Sequence, residues 1–330
     1  MRRLSDAIDS VAAANAFSGV VLVDRNGEEE LACARGLADR GHETPNSLET
    51  QFAIASGTKG LTAAAVVGLV EDRVLELTTT TRSLLGDDLP LIDDRVTIEH
   101  LLSHRPGIGD YVDEEADLDL TRIPVARTRP RARDDRAVSR RARRASDEVR
   151  ARCAYCNSGY VVLALLAERA SNISYDLVRQ RVCERAEMNN TAFLRSDELP
   201  GRAALGYLTV DGSVRTTVFH LPVRGSGDGG IDSTAHDISF WRALFSGKIV
   251  SSAWLAELVR PRGGAAGSSK SYGLGFWLES SGAVSLEGCD AGVSFRSVHH
   301  PARGITHTVI SNTSDGAWPI TQLLDERLLT

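Results

Sequence analysis

The sequence has 330 residues, of which 42% are hydrophobic, and a formal net charge of −6. A chain of this length and composition can bury a sizeable core, as one large domain or as two coupled ones. Its longest apolar run, around residues 61–70, is too short and too closely flanked by charge to span a bilayer, so no membrane partner is predicted.

The N-terminal residues and the cysteines indicate the compartment. MRRLSDAIDSVAAANAFSG starts basic but carries Asp6 and Asp9 at helical spacing, which predicts an amphipathic helix and not a secretory leader. The cysteines are odd in number and scattered, and the C-x-x-C pair of Cys153 and Cys156 lacks a second pair of metal ligands. We therefore expect a reduced, cytoplasmic protein without a metal or another cofactor.

Apolar periodicity predicts the elements in chain order. FSGVVLVDRNGEEELACARG predicts two strands around a tight turn at Asn26-Gly27. FAIASGTKGLTAAAVVGLVED predicts a short apolar run, a turn and a helix, and VTIEHLLSHRPGIGDY predicts a helix that stops at Pro106 and Gly107. SGYVVLALLAERAS and SYDLVRQRVCERAEM predict two more helices. After Arg202 come Gly-rich, strand-like segments, and PITQLLDERLL predicts a final helix.

Strands at both ends and helices in the middle predict an α+β fold. In this fold an antiparallel sheet built from both termini forms a mixed α/β domain, and an all-helical domain is inserted into it. The predicted sheet domain comprises residues 1–62 and 203–330, and the predicted helical domain comprises residues 63–202.

Ser56 and Lys59 form the first candidate catalytic pair, in an S-x-x-K pattern at the predicted start of a helix. Positions i and i+3 of a first helical turn share a face, so the lysine amine can reach the serine hydroxyl. A desolvated lysine at a helix N-terminus can act as the general base for serine. The alternative is an N-cap serine with a solvated lysine. The scarcity of lysine in this chain and the apolar helix that follows argue against that alternative.

Tyr155 and Asn157 form the second candidate pair, directly before the next predicted helix. A tyrosine one turn from a helix start could share protons with the Ser–Lys pair, and Asn157 could hold the lysine and a substrate amide. The alternative is a core tyrosine with an N-cap asparagine. Because two such motifs each open a helix, a shared catalytic role is favoured.

Three segments resemble the serine β-lactamase and penicillin-binding-protein superfamily: IASGTKGLTAAAVVGLVED, VTIEHLLSHRPGIGDY and AYCNSGYVVLALLAERAS. They look most similar to its class C-like branch, which includes DD-peptidases and esterases. The resemblance covers most of the chain apart from residues 122–152, and it implies a β-lactamase/transpeptidase-like fold. It also implies Ser56 as the acylated nucleophile, Lys59 as its base, Tyr155 as the proton shuttle to the leaving group and Asn157 as a ligand of lysine and substrate.

The third motif of this superfamily, K-T-G or H-x-G, is matched at residues 286–288 by L-E-G, without a cation. In the superfamily that cation helps to bind the carboxylate of penicillins and of peptide C-termini. Its absence argues against efficient β-lactamase or carboxypeptidase activity and favours a neutral ester or amide. The match places Gly288 and Cys289 in the substrate-binding set, with the backbone N–H groups of Ser56 and Cys289 as an oxyanion hole.

Other polar residues near these motifs are predicted to be structural. Glu287 and Asp290 could face a substrate, but solvated acids at a strand-end turn are favoured. His104 is interpreted as a helix-terminal residue, and His299 and His300 as strand-end residues in solvent.

Residues 122–152 hold twelve arginines against four acids, in a chain that is acidic overall. The segment has no aromatic and almost no large apolar residue, so it is predicted to be disordered or poorly packed. A nucleic-acid-binding arm would need stacking aromatics or a docking fold, so no nucleic-acid partner is predicted. A solvated variable insert stays open as an alternative.

The favoured explanation of this segment is a pair of compensating frameshifts, near Thr121 and Cys153. Arginine, alanine, serine and aspartate are what a GC-rich gene gives when it is read out of frame. With suitable codons, DDRAVSRRARRASDEVRAR shifted by one base reads TTEQYLAVLDGRPTKFAPG, which has an apolar helix and a Pro-Gly turn before Tyr155. Because Tyr155 and Asn157 follow directly, the segment could degrade their positioning.

The predicted function is a serine hydrolase that acts through an acyl-enzyme on an ester or amide, with a small-molecule or peptide-like substrate. Two alternatives stay open. One is a catalytically impaired protein of the same fold, which is a binding protein or a damaged gene product. The other is a true β-lactamase or D-alanyl-D-alanine carboxypeptidase. The sequence predicts neither the physiological substrate nor the oligomeric state.

Overall fold

The computed structural model describes residues 2–111, 154–174, 176–237, 240–264 and 270–329. The arginine-rich segment 122–152 and Cys153 lie outside the described residues, and so do the predictions made for them.

Helices and short strands alternate along the described chain. The helices are α1 (Arg2–Ala14), α2 (Thr58–Glu71), α3 (Thr81–Leu85), α4 (Ile98–Leu102), α5 (Asn157–Ser171), α6 (Asp176–Val178, continued by a π-helical turn, Arg179–Cys183, and by Glu184–Ala186), α7 (Phe240–Phe245), α8 (Ser252–Leu258) and α9 (Ala317–Leu328). The strands are β1 (Gly19–Arg25), β2 (Glu28–Arg35), β3 (Leu37–Asp39), β4 (Thr44–Pro45), β5 (Phe52–Ala53), β6 (Tyr207–Val210), β7 (Ser213–Thr216), β8 (Asp232–Ser233), β9 (Gly263–Gly264), β10 (Ser271–Tyr272), β11 (Trp277–Leu278), β12 (Val284–Asp290), β13 (Val293–His300) and β14 (Ile305–Ser311).

Among the described strands, eight form one antiparallel sheet in the order β2-β1-β14-β13-β12-β11-β10-β9. The N-terminal strand β1 pairs with β2 on one side and with the C-terminal strand β14 on the other, so both ends of the chain build the same sheet. The predicted fold class, α+β with an antiparallel sheet from both termini, is confirmed. The domain limits at residues 62 and 203 stay a prediction.

Both faces of strand β1 are covered by helices. Val20 and Leu22 belong to the core that contains α2, whereas Val21 and Val23 belong to a second core with α1 and α9. Successive side chains of a strand point to opposite faces, so a strand with helices on both sides is apolar at every position. The run GVVLV follows this rule.

The turn between β1 and β2 is the hairpin that the sequence predicts. Asn26 and Gly27 both have positive φ, 53° and 87°, and the strands pair at Arg25 and Glu28 on either side of them. Asparagine and glycine tolerate this backbone better than other residues, which is why they mark such turns.

Helix α2 is buried at every position from Thr58 to Val70. A helix that is apolar on all sides belongs in the centre of a protein, and α2 lies in the large core beneath the sheet. None of the helices that the structure describes is both long and apolar enough to cross a membrane.

Helix α4 is shorter than predicted. It ends at Leu102, and Ser103 already has non-helical angles. His104 then takes a left-handed φ of 55°, which a continuing α-helix cannot include. The helix therefore stops ahead of Pro106, and the chain from His104 onward is free to turn toward α5.

Candidate active site

Ser56 lies on a strained turn between a strand and the central helix. The chain leaves β5, forms a single 3-10 turn at Ala55–Gly57, and enters α2 at Thr58. Ala55 has a φ of 44°, a conformation that costs a non-glycine residue about 1–3 kcal/mol. A side chain at Gly57 would come within 2.4 Å of the Phe295 ring, so only glycine allows the turn to pack against the sheet.

Lys59 is buried beneath Ser56, with 1% of its surface exposed. Its Nζ donates hydrogen bonds to Oγ of Ser56 at 2.8 Å, to Oδ1 of Asn157 at 2.8 Å and to the main-chain oxygen of Asp228 at 2.7 Å. Three acceptors match the three donors of an ammonium group, which satisfies the hydrogen-bonding capacity of the buried amine. The S-x-x-K pair and the asparagine of the second motif therefore meet at one atom.

Asp110 fixes the orientation of Asn157 at the start of α5. Its Oδ2 accepts from the main-chain N–H of Asn157 at 2.7 Å and from the side-chain Nδ2 at 3.1 Å, and its Oδ1 accepts from the N–H of Ser158 at 2.9 Å. Because Nδ2 donates to Asp110, Oδ1 of Asn157 is the atom that faces Lys59. A carboxylate also interacts favourably with a helix N-terminus. Sequence reasoning missed Asp110, and its position in the loop GIGDY was the available signal.

Asp228 closes the site from a second loop that the sequence analysis did not single out. The loop has the sequence GSGDGG at residues 225–230. The Thr62 hydroxyl donates to the oxygen of Gly227 at 2.9 Å, which ties the loop to α2. The hydroxyl of Tyr111 donates to Oδ2 of Asp228, whose side chain is buried. The glycines let the loop approach α2 closely enough for its main-chain oxygen to reach Lys59.

Tyr155 lies behind Lys59 within a group of aromatic rings. Its ring centroid is 5.0 Å from Nζ of Lys59, and the ring stacks on Trp277 at 6.1 Å. The ring of His104 lies 4.3 Å from it. Ser56, Asn157 and Cys289 line a common cavity, and the described lining of that cavity does not include Tyr155.

His104 is a fully buried, neutral member of the site and more than a helix-terminal residue. Burial, reinforced by the positive charge of Lys59, holds the pKa of His104 well below its usual value. Its Nδ1 accepts the N–H of Cys156 at 3.1 Å, so the ring proton is on Nε2. Among the described residues, no group accepts a hydrogen bond from Nε2. His104 supports the loop of Tyr155 without adding a second positive charge beside Lys59.

The sequence predictions for His299 and His300 are wrong. His300 is buried, and His299 packs on Trp241 and has a pKa lowered to about 4 by burial, so neither lies at a solvated strand end. Asp290, which was predicted as a solvated acid at a strand-end turn, is the partly exposed last residue of β12 and also lines the cavity beside Ser56. The N-cap of α5 is Cys156, whose Sγ accepts the N–H of Gly159 at 3.3 Å, so the alternative that made Asn157 the N-cap is excluded.

The family model described as Beta-lactamase matches residues 4–328. The chain belongs to the β-lactamase family. The predicted superfamily is thereby confirmed.

Relatives of this β-lactamase-family chain have several activities. The putative penicillin-binding protein PbpX of Bacillus subtilis (strain 168) is 27% identical over 279 residues, 79% of this chain and 62% of PbpX. The D-aminopeptidase of Brucella anthropi is 27% identical over 283 residues, 82% of this chain and 50% of that enzyme. The aligned part of the chain thus spans about half to three fifths of the length of these relatives.

Two solved structures superimpose closely on this chain. A penicillin binding protein from Bacillus halodurans has a TM-score of 0.89 and 30% identity, and the match covers 97% of this chain and all of that one. The D-amino acid amidase of Ochrobactrum anthropi SV3 has a TM-score of 0.81 and 24% identity, with 99% and 97% covered, which shows a shared fold.

Strand β12 carries residues 286–288, which the sequence analysis matches to the third motif. Leu286 is buried, and its Cδ2 would lie 2.3 Å from a Cβ on Gly60, so this side chain packs on α2. Glu287 forms ion pairs with Lys270 and with Arg296, at 2.5 and 3.3 Å. A Cβ on Gly288 would lie 2.9 Å from the nitrogen of Ser56, so β12 touches the Ser56 turn at this glycine.

Proposed function

We propose that this β-lactamase-family chain is a serine hydrolase that forms an acyl-enzyme at Ser56 on an ester or amide of a small-molecule or peptide-like substrate. The observation that carries the proposal is the buried Lys59, whose Nζ lies 2.8 Å from Oγ of Ser56. A desolvated amine in hydrogen-bond contact with a hydroxyl is the arrangement that a base and its nucleophile require.

The hydrogen bonds around Lys59 support its assignment as the base. Oδ1 of Asn157 and the main-chain oxygen of Asp228 can only accept, whereas the Ser56 hydroxyl can either donate or accept. A neutral amine would donate to the two carbonyl oxygens and accept the Ser56 proton, and the ammonium donates to all three. Lys59 can therefore take up the proton of Ser56 without displacing a neighbour.

The proposed reaction has two stages. In acylation, Oγ of Ser56 bonds to the substrate carbonyl carbon while its proton passes to Lys59. The bond to the leaving group then breaks, and the leaving group takes a proton from Lys59 by way of Tyr155. In deacylation, water attacks the acyl carbon, the bond to Oγ breaks, and one proton of the water returns to Ser56 along the same route. The Tyr155 ring lies 5.0 Å from Nζ of Lys59, which supports Tyr155 as the group that exchanges protons with Lys59.

The main-chain N–H groups of Ser56 and Cys289 are proposed as the oxyanion hole. Two features support them: β12 touches the Ser56 turn at Gly288, and the exposed Cys289 lines the same cavity as Ser56. Only a residue without a side chain at position 288 leaves room for a substrate oxygen next to the Ser56 nitrogen.

The third motif favours a neutral ester or amide over a penicillin. Leu286 is matched to the third-motif position for which the resemblance implies a cation, and Glu287 beside it is an acid engaged in ion pairs. A true β-lactamase or carboxypeptidase, and a catalytically impaired homologue, are the competing functions. A cytoplasmic location stays a prediction.

Intact mass after treatment with a fluorophosphonate tests the function. We expect one adduct on the wild type, none on Ser56→Ala and one on Ser196→Ala, which removes another hydroxyl that lines the cavity. An adduct that persists in Ser56→Ala would exclude Ser56 as the nucleophile. A wild type without any adduct would favour the impaired homologue. A stable benzylpenicillin adduct at Ser56 would favour the β-lactamase or carboxypeptidase alternative.

A further inference from the structure

The cavity beside Ser56 has an acidic lining. It encloses about 160 Å³, and its described lining contains three acids, Asp228, Asp232 and Asp290, and no lysine, arginine or histidine. Most of the remaining lining is apolar or glycine. A cavity with charges of one sign attracts ligands of the opposite sign and disfavours those of the same sign. Neutral and cationic substrates are therefore favoured over carboxylates.

The three acids differ in what they bind within the protein. Oδ2 of Asp228 accepts from the Tyr111 hydroxyl, and Oδ1 of Asp290 accepts from the N–H of the next residue at 2.7 Å. The main chain of Asp232 exchanges two hydrogen bonds with Ala192, at 2.9 and 3.0 Å. Its carboxylate has neither a hydrogen bond nor an ion pair with any residue in the described part of the chain.

Asp232 is held close to the nucleophile by strand pairing. It lies in β8, directly opposite Ala53 of β5, and Ala53 precedes Ser56 by one short turn. The backbone of Asp232 is thus fixed on both sides, by Ala53 and by Ala192. Asp232 is one of the residues that line the cavity beside Ser56.

A carboxyl in this place destabilises the protein unless something binds it. Asp232 is partly buried, and this burial raises the pKa of its carboxyl to about 7. Buried charges are normally paired, because the cost of removing one from water is large. No described residue supplies this partner. A partner for the Asp232 carboxyl can therefore come from the cavity.

We propose that Asp232 binds a protonated amine of the substrate, so that the hydrolase acts on esters or amides that carry a positively charged amine. This inference rests on the proposed function and names the substrate class of the same cavity. An ammonium group supplies both the charge and the N–H donors that a carboxylate binds most strongly. The match of Leu286 to the motif position of the cation agrees with this proposal. The motif cation would bind a carboxylate of the substrate, and a substrate selected by its positive charge does not need that contact.

Matched cationic and neutral esters test the substrate class. For the acyl side we would compare p-nitrophenyl 4-(dimethylamino)butanoate with its neutral isostere p-nitrophenyl 5-methylhexanoate. For the leaving-group side we would compare 2-(dimethylamino)ethyl butanoate with 3-methylbutyl butanoate. The Ser56→Ala protein gives the background rate. We expect kcat/KM to favour the cation by about tenfold or more in at least one pair, as for a charged hydrogen bond.

The Asp232→Asn variant assigns this preference. The ratio of cationic to neutral kcat/KM should fall to near one in Asp232→Asn and fall much less in Asp290→Asn, which removes another cavity charge. A wild type without preference in either pair would overturn the inference. So would a preference that survives in Asp232→Asn or that is lost only in Asp290→Asn.

A binding measurement separates this inference from the proposed function. Isothermal titration of the Ser56→Ala protein with protonated N,N-dimethyl-4-phenylbutylamine needs no catalysis. We expect binding that is about tenfold weaker or more when Asp232→Asn is added. Equal binding by both proteins, or binding by neither, would overturn the cation site. If the amine binds through Asp232 but Ser56 is never labelled, the hydrolase proposal fails and the cation site stands.

Discussion

Replacing Asp232 by asparagine should stabilise the protein, by an amount that grows with pH. Burial raises the pKa of the Asp232 carboxyl from its ordinary 3.8 to about 7. Each unit of such a difference corresponds to about 1.4 kcal/mol, so the ionised carboxylate destabilises the fold by up to about 4 kcal/mol. Asparagine has nearly the same shape and no charge to remove from water. Water in the cavity solvates part of the carboxylate, which makes this figure an upper limit.

The sign of the pH dependence follows from which state releases its proton first. Below the ordinary pKa, the Asp232 carboxyl is protonated in the folded and in the unfolded chain, and the variant gains little. Between that pKa and about 7, only the unfolded chain ionises, so the wild type loses stability as the pH rises. Between pH 5 and pH 8 the advantage of Asp232→Asn should therefore grow by about 2 kcal/mol.

Urea unfolding followed by tryptophan fluorescence at these two pH values measures the effect. Asp211→Asn is the matched control, because Asp211 is exposed in the β6–β7 turn, where asparagine before glycine is well tolerated. Its effect on the free energy of unfolding should change little with pH. An advantage of Asp232→Asn that is equal at both pH values would refute the reasoning, as would a variant less stable than the wild type at pH 8.

Three further changes test the site. Gly288→Ala should slow fluorophosphonate labelling about a hundredfold, because its Cβ would lie 2.9 Å from the Ser56 nitrogen. Gly201→Ala, which meets nothing within 4 Å, should leave the rate unchanged, and equal rates for both variants would contradict the proposed oxyanion hole. Asp110→Asn should lower the free energy of unfolding by about 1–3 kcal/mol, measured by thermal denaturation, and should slow labelling, measured by intact mass. A wild-type stability together with a wild-type labelling rate would contradict the positioning role of Asp110. Restoring the reading frame across residues 122–152 should raise the labelling rate, and a gene sequence without an insertion or deletion relative to close relatives would exclude the frameshift.

Local signals in the sequence were sufficient for the elements that carry the site. The turn at Asn26-Gly27 requires positive φ, and few residues tolerate it, so the hairpin could be predicted directly. Helix α2 follows from an unbroken apolar run after a turn, and α5 follows from apolar residues at helical spacing. Because Ser56 and Lys59 are neighbours on one turn, their contact depends on local geometry alone.

Groups that reach the site by tertiary contacts could not be predicted in this way. Asp110 binds Asn157, which is 47 residues further along the chain, and Asp228 binds Lys59 across a separation of 169 residues. The loops that carry them, GIGDY and GSGDGG, read locally as ordinary turns. His299 was misjudged for the same reason, because its burial comes from Trp241, on a distant helix that packs against β13.

The charges in the site suggest how a cationic substrate would be oriented. Lys59 is held by three oxygen acceptors and lies near the faces of Tyr155 and Tyr160, with centroids 5.0 and 5.8 Å from Nζ. Aromatic faces favour a cation, whereas His104 stays neutral, so the charge that Lys59 takes up with the Ser56 proton is the single positive charge formed at this end of the described site. A substrate amine would be repelled from that end and attracted to Asp232. The same two forces would direct the substrate carbonyl toward Ser56, so the charge that selects the substrate would also align it for acylation.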